Sequence, residues 1–139
     1  VELGGTNARL NAVGAAALNA RADAMENEVR RRRDIAAVYD GVTGIAPVLR
    51  SLNSPVSVYA IRHHKRDWLA AELAKSGVPT RVYYPRMVHE HPAFADRVVV
   101  SGSTDRAALF CSEALALPCH GAMTDDDVAQ VMSALRRCL

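Results

Sequence analysis

Lysine is nearly missing from this chain. Fifteen of its seventeen basic residues are arginine, and the only lysines are Lys65 and Lys75. Any chemistry that needs a lysine amine has those two candidates and no more. Aromatic residues are also scarce, seven in 139, while half the residues are apolar and alanine supplies much of that half. Such a composition predicts a core of small residues on closely packed helices. The three cysteines, Cys111, Cys119 and Cys138, are odd in number and widely spaced. That excludes a disulfide framework and a CxxC metal knuckle and fits a reducing compartment. There is no signal peptide and no apolar run near the roughly eighteen residues a membrane helix needs, so the expectation is a soluble, cytoplasmic chain with no membrane partner. A formal charge of +2 is too mild to point to nucleic acid. What remains is a single ordinary domain. Its first residue is Val1, which suggests either a trimmed N-terminus or the tail of something longer.

Residues 9–40 contain no proline and, apart from Gly14, no glycine; Leu10, Val13 and Ala17, then Met25, Val29 and Ala36, recur at helical spacing. One long helix, or two in series, is predicted. The arginine run 30–33 follows Glu26 and Glu28 and wraps around that helix, so it reads as a solvated face with local ion pairs. Residues 41–55 are linker-like in composition. "VSVYAIR" (56–62) reads as a central strand, apolar on both faces. "RDWLAAELAKSG" is a helix with Asp67 in its first turn and Gly77 as its stop. "TRVYY" is a second strand closed by Pro85, "STDRAALFCSEAL" a helix and "LALPC" (115–119) a third short strand. "TDDDVAQVMSALRR" is a helix capped by Thr124, with three aspartates at its positive end and Val128, Val131, Met132 and Leu135 in one stripe. The expected fold class is α/β: a helical arm (1–40), a linker (41–55) and a small domain (56–139) of about three short strands alternating with helices.

The densest chemistry lies in "RVYYPRMVHEHPAF" (81–94). His89 and His91 share a face in a strand, and His63, His64, His120 and Cys119 are further possible ligands. Yet Pro92 follows at once, HExxH is absent and no second close ligand pair exists, so no metal site is assigned. There is no GxSxG elbow, and Cys111 and Cys119 sit in apolar stretches, so no nucleophile is assigned. "LGGTNARL" places glycines before a helix, a weak anion-binding signal without GxGxxG or a P-loop lysine.

Together these segments resemble the C-terminal part of the DegT/StrS-type aminotransferases. "ELGGTNARLNAVGAAAL" with "RRRRDIAAVYD" is similar to the family's G-x-N-x-R-L helix and its following segment. "RVYYPRMVHEHPAF" is similar to the H-Y-P-x-P-L-H-x-Q-P-A-F stretch, and "EALALPCHGAMTDDDVAQVMSAL" to the closing L-S-L-P-x-H-x-x-L-T-D-x-D-V. The resemblance implies the C-terminal small domain of a fold-type I pyridoxal-phosphate transferase that aminates a nucleotide-linked keto-sugar, with an amino acid as donor. It implies that Asn7 reaches the cofactor phosphate across a homodimer interface, with Arg9 one turn away. It implies further that Tyr83, Tyr84, Arg86 and His89 line the substrate pocket. The sequence departs from the pattern at Gly14, usually glutamine, and at Ser57 and Tyr83, both often histidine.

Transamination needs a lysine to carry the cofactor and an acid for its pyridine nitrogen; in the family both belong to the large N-terminal domain. Lys65 lies in "RHHKRDW" with no partner acid, and Lys75 is in a helix's last turn, where a cation suits the dipole. No catalytic residue is therefore assigned here. The expectation is the C-terminal portion of a sugar aminotransferase, sharing its cofactor with a large domain or second subunit and not holding it alone. The alternative is a stand-alone, non-catalytic dimerisation or interaction domain derived from such an enzyme.

Overall fold

The structure, a computed structural model, describes residues 11–42, 46–48, 54–94 and 97–139. Asn7 and Arg9 lie outside the described residues. The fold is α/β. One helix, α1 (Ala12–Asp40), replaces the two-in-series option. Asn11 caps it, its side-chain oxygen accepting from the Gly14 N–H at 2.7 Å. The last third of α1 enters the core through Ile35, Ala36 and Tyr39.

The sheet has three strands in the order β1 (Ala46–Pro47), β2 (Tyr59–Arg62) and β3 (Ala114–Leu117), all antiparallel. β2 is central as expected, pairing Tyr59 with Leu117 and Arg62 with Ala114 on one side and Arg62 with Ala46 on the other. It starts three residues later than the sequence suggests. Buried Val56 has φ of 49°, a left-handed conformation that a β-branched residue seldom adopts and no strand tolerates. The strand expected over "TRVYY" reduces to one bridge, in which Arg81 and Ala116 exchange backbone hydrogen bonds at 3.1 and 2.7 Å. Pro79 and Pro85 bracket the segment and neither supplies a ladder N–H, so pairing cannot spread.

Helix α2 (Arg66–Lys75) follows β2, and α3 (Asp105–Glu113) runs directly into β3. α4 (Asp125–Cys138) closes the chain and packs on α2. Gly77, at φ 74°, provides the turn that ends the α2 segment; a side chain there would be strained. α4 begins as expected: the Thr124 hydroxyl oxygen accepts from the Asp127 N–H at 3.1 Å while the Asp127 carboxylate accepts from the Thr124 N–H at 2.7 Å. Ile61, Leu69, Leu73, Leu115 and Leu135 are fully buried around Tyr39 and Tyr59. Those two tyrosine rings meet edge-on at 5.1 Å. Each spends its hydroxyl usefully, Tyr39 on the Pro118 carbonyl at 2.9 Å and Tyr59 on the Asp40 carboxylate at 2.8 Å. Burial, with Cys119 and Asp127 adding to it, pushes the Tyr39 hydroxyl well above the usual tyrosine range, so it stays a neutral donor.

The arginine run is not uniformly solvated. Arg31 is half-buried and donates twice to the Met123 carbonyl, at 3.1 and 2.9 Å, and pairs with Asp125 at 2.8 Å. It pins α1 to the start of α4. The approach is close enough that a Cβ on Gly121 would lie 2.8 Å from Glu28 Cγ. Arg30 and Arg33 remain exposed.

Two outcomes follow for stability. Ile61→Ala removes a fully buried side chain from the central strand and should lower the urea unfolding free energy by about 2–5 kcal/mol. The Asp127 carboxyl is held below the ordinary carboxylate range, first by the Thr124 backbone hydrogen bond and then by the Thr124 hydroxyl. Its contribution is present above the unfolded value, ~3.9, and is lost as pH falls through the lower folded value. Asp127→Asn should therefore flatten the acid limb of the stability profile below about pH 4. An acid limb identical to the wild type's would contradict this capping role.

Candidate functional site

The wall begins at the Arg81–Ala116 bridge, which fixes where residues 82–94 leave the sheet. Val82 turns inward against the core, while Tyr83 and Tyr84 turn outward. The two tyrosines are joined by a cis peptide bond, and their rings sit edge-to-face at 5.7 Å. Pro85 and Arg86 lead into a single 3-10 turn, Val88–Glu90. That turn is tied by the Glu90 carboxylate, which accepts from the Met87 N–H at 2.9 Å. A further turn is closed by the Phe94 N–H donating to the His91 carbonyl at 2.8 Å.

Three concavities run along this wall. The largest, about 540 Å³, is bounded by Tyr84, Arg86, Met87, Val88, His91 and Phe94. The middle one, about 370 Å³, lies between the two tyrosines, Phe110 of α3 and the β2 segment at Val58 and Ala60. The third, about 190 Å³, is shared by Tyr83, Arg81, Ser57 and the β3 end at Cys119. Tyr84 belongs to the first and second, and Tyr83 to the second and third.

Of the residues the sequence singles out, Tyr83, Tyr84 and Arg86 thus share connected surfaces. His89 is half-buried in the 3-10 turn and lines none of the three. The structure adds Phe110, Arg81 and Ser57. Phe110 lies twenty-six residues beyond Tyr84, and no local periodicity announces that α3 folds back over the tyrosines. Among the described residues no group of three or more histidine, cysteine, aspartate or glutamate side chains comes together as a metal site, and no helix is long and apolar enough to cross a membrane.

Neither lysine lines the three concavities. Lys75 is paired with Glu72 at 2.6 Å in the last turn of α2. Lys65 is exposed in the turn between β2 and α2, where its backbone N–H donates to His63 Nδ1 at 3.1 Å. It lines none of the three concavities. The neighbouring Arg66 is nearly buried and structural, its guanidinium donating to the Cys111 and Ala114 carbonyls at 3.1 and 3.3 Å and pairing with Asp67. Arg62 holds the Glu113 carboxylate through two bonds, at 2.9 and 2.6 Å.

Fold and wall define a class: an α/β unit that presents an aromatic edge with exposed Arg81 and Arg86 beside it. Residues 1–136 match the DegT/DnrJ/EryC1/StrS aminotransferase family, and the chain belongs to that family of pyridoxal-phosphate enzymes. It is similar to the dTDP-3-amino-3,4,6-trideoxy-alpha-D-glucose transaminase of Streptomyces venezuelae, 33% identical over 141 residues that cover 97% of this chain and 37% of the relative. It is also similar to the UDP-2-acetamido-2-deoxy-3-oxo-D-glucuronate aminotransferase of Pseudomonas aeruginosa, 32% identical over 94% of this chain and 37% of the relative. The fold superposes on S. venezuelae DesV with a TM-score of 0.85 at 32% identity, covering 99% of this chain and 38% of that one. A DegT DnrJ EryC1 StrS aminotransferase from Brucella abortus gives 0.87 at 27% identity, covering 96% and 37%. The chain therefore spans 37% of the length of these two curated relatives.

The wall tyrosines are not structural. Tyr84 is 72% exposed whereas Tyr59 is 2% exposed. Tyr84→Ala should change unfolding free energy by no more than about 0.5 kcal/mol, and Tyr59→Ala should lower it by about 3–5 kcal/mol. A large loss of stability in Tyr84→Ala, read by urea titration, would make the wall part of the core.

Proposed function

We propose that this chain is the small-domain portion of an enzyme that transfers an amino group from an amino acid to a nucleotide-linked keto-sugar. In this reading residues 1–40 are an arm reaching toward a large cofactor-binding domain, 41–55 a linker and 56–139 the small domain of a fold-type I transferase. The bound pyridoxal phosphate supplies the electron sink for amino transfer, held by a lysine and an acid of the large domain. This chain contributes binding and orientation. Asn7, with Arg9 nearby, holds the cofactor phosphate across a homodimer interface, where an amide donor and helix N–H groups favour an anion. Tyr83, Tyr84 and Arg86 form the substrate-facing wall, and His89 sits in the turn behind them.

The observation that carries this reading is the wall itself: two solvent-facing tyrosines and an arginine on connected concavities, in a chain of this family. Exposed apolar side chains favour it over a stand-alone interaction domain. Val99 is 92% exposed, Val13 80% and Val88 70%, which suits surfaces that a further domain covers. Cys111, Cys119 and Cys138 form no disulfide among the described residues, which suits a cytoplasmic setting.

In the assembled enzyme, Asn7→Ala should release cofactor during gel filtration; full retention of cofactor absorbance would remove Asn7 from the phosphate site. Tyr84→Ala should raise KM for the keto-sugar nucleotide about tenfold with kcat little changed, the signature of lost uniform binding. An unchanged KM would place the substrate elsewhere.

A further inference from the structure

Arg81 and Arg86 differ from the arginines that staple the fold. Arg31, Arg32, Arg62 and Arg66 are all engaged with carboxylates or carbonyls. Neither Arg81 nor Arg86 has a side-chain hydrogen bond or ion pair among the described residues, and both are exposed. They stand at opposite ends of the tyrosine wall, Arg81 on the 190 Å³ concavity and Arg86 on the 540 Å³ one. Among the described residues no aspartate or glutamate lines any of the three concavities, so none of these neutralises either guanidinium there. The arginines are five positions apart, which puts their Cα atoms at most about 18 Å apart. The surface between them is aromatic: Tyr83, Tyr84 and Phe110 on the middle concavity.

Positive charge at both ends and π-faces between them specify an elongated ligand with a ring in the middle and an anion at each end. Arginine presents a rigid fork that matches carboxylate and phosphate oxygens two at a time. The two ends differ in size. The Arg86 end is wide and also carries His91, which suits a diphosphate and its nucleoside. The Arg81 end is small and adds the Ser57 and Tyr83 hydroxyls as donors, which suits a single carboxylate.

We propose that the substrate is an acidic sugar nucleotide, its diphosphate bound at Arg86 and a carboxylate on the sugar bound at Arg81 and Ser57. This rests on the reading of the wall as the substrate surface. It makes Arg81 a specificity residue that discriminates sugar acids from neutral sugars, because a neutral sugar leaves that guanidinium without a partner.

The test is an NMR titration of the isotopically labelled 139-residue chain with UDP, UDP-glucose and UDP-glucuronate at millimolar concentration, and with L-glutamate as a carboxylate lacking the nucleotide. All three nucleotides should shift amides in residues 84–94. UDP-glucuronate should bind about tenfold more tightly than UDP-glucose, in keeping with one added charge-assisted contact, and should alone shift Arg81 and Ser57. Arg81→Met should abolish that advantage without changing the affinity for UDP-glucose, and Arg86→Met should weaken all three nucleotides. Equal affinity for UDP-glucuronate and UDP-glucose overturns the sugar-acid assignment while leaving the wall as a sugar-nucleotide surface. Glutamate shifting Arg81 without any UDP-glucuronate advantage overturns it too. Failure of all three nucleotides to bind removes the reading of the wall and this proposal with it.

Discussion

Two backbone hydrogen bonds between Arg81 and Ala116 hold the place where the chain leaves the sheet for the wall. β3 is held on its other side by β2, whose own side chains alternate between buried Tyr59 and Ile61 and half-buried Ala60 and Arg62. Because side chains alternate along a strand, a one-residue slip at the bridge would turn Val82 outward and Tyr83 inward. The core therefore specifies which way the tyrosines face. A hydrophobic contact, Val82 against the buried cluster, thereby positions a polar and aromatic surface.

Arginine serves two physical roles here. Arg31 and Arg66 use their several donors to satisfy carbonyls just before α4 and at the junction of α3 with β3, a task for which one planar, always-charged group suits better than an ammonium. Arg81 and Arg86 face outward beside aromatic rings and have no protein partner among the described residues. Exposed ion pairs add little to stability, so guanidiniums without partners at a concave surface cost the fold nearly nothing and remain available to a ligand.

Much of the architecture is legible in the sequence because local signals and tertiary context agree. Thr124 and Asp127 announce the start of α4 through short-range hydrogen bonds, and Gly77 ends the α2 segment through a conformation other residues avoid. β3 is apolar along its length because all four of its residues are buried, whereas β2 buries only Tyr59 and Ile61 and leaves Ala60 and Arg62 half-buried. The sequence misleads where non-local geometry decides. "TRVYY" has strand composition, yet prolines on both sides confine it to one bridge. Arg31 looks like part of a solvated run, and only the fold brings Met123 and Asp125 to it, ninety-two and ninety-four positions away. Tyr83, Tyr84 and Arg86 are near neighbours in the chain, and their reading as a group comes from the family resemblance. Phe110 and Ser57 join them only through the packing of α3 and of the segment before β2, which no spacing encodes.

The central claim is that this chain supplies a binding wall and not the reacting group. The most direct measurement is amino transfer to a keto-sugar nucleotide by the 139-residue chain alone, by a large domain of the family alone, and by the two joined. The account predicts that the chain alone neither retains pyridoxal phosphate nor transfers an amino group, and that the joined protein does both. Cofactor retention and turnover by the isolated chain would contradict it, since the group that carries the cofactor would then lie among these residues.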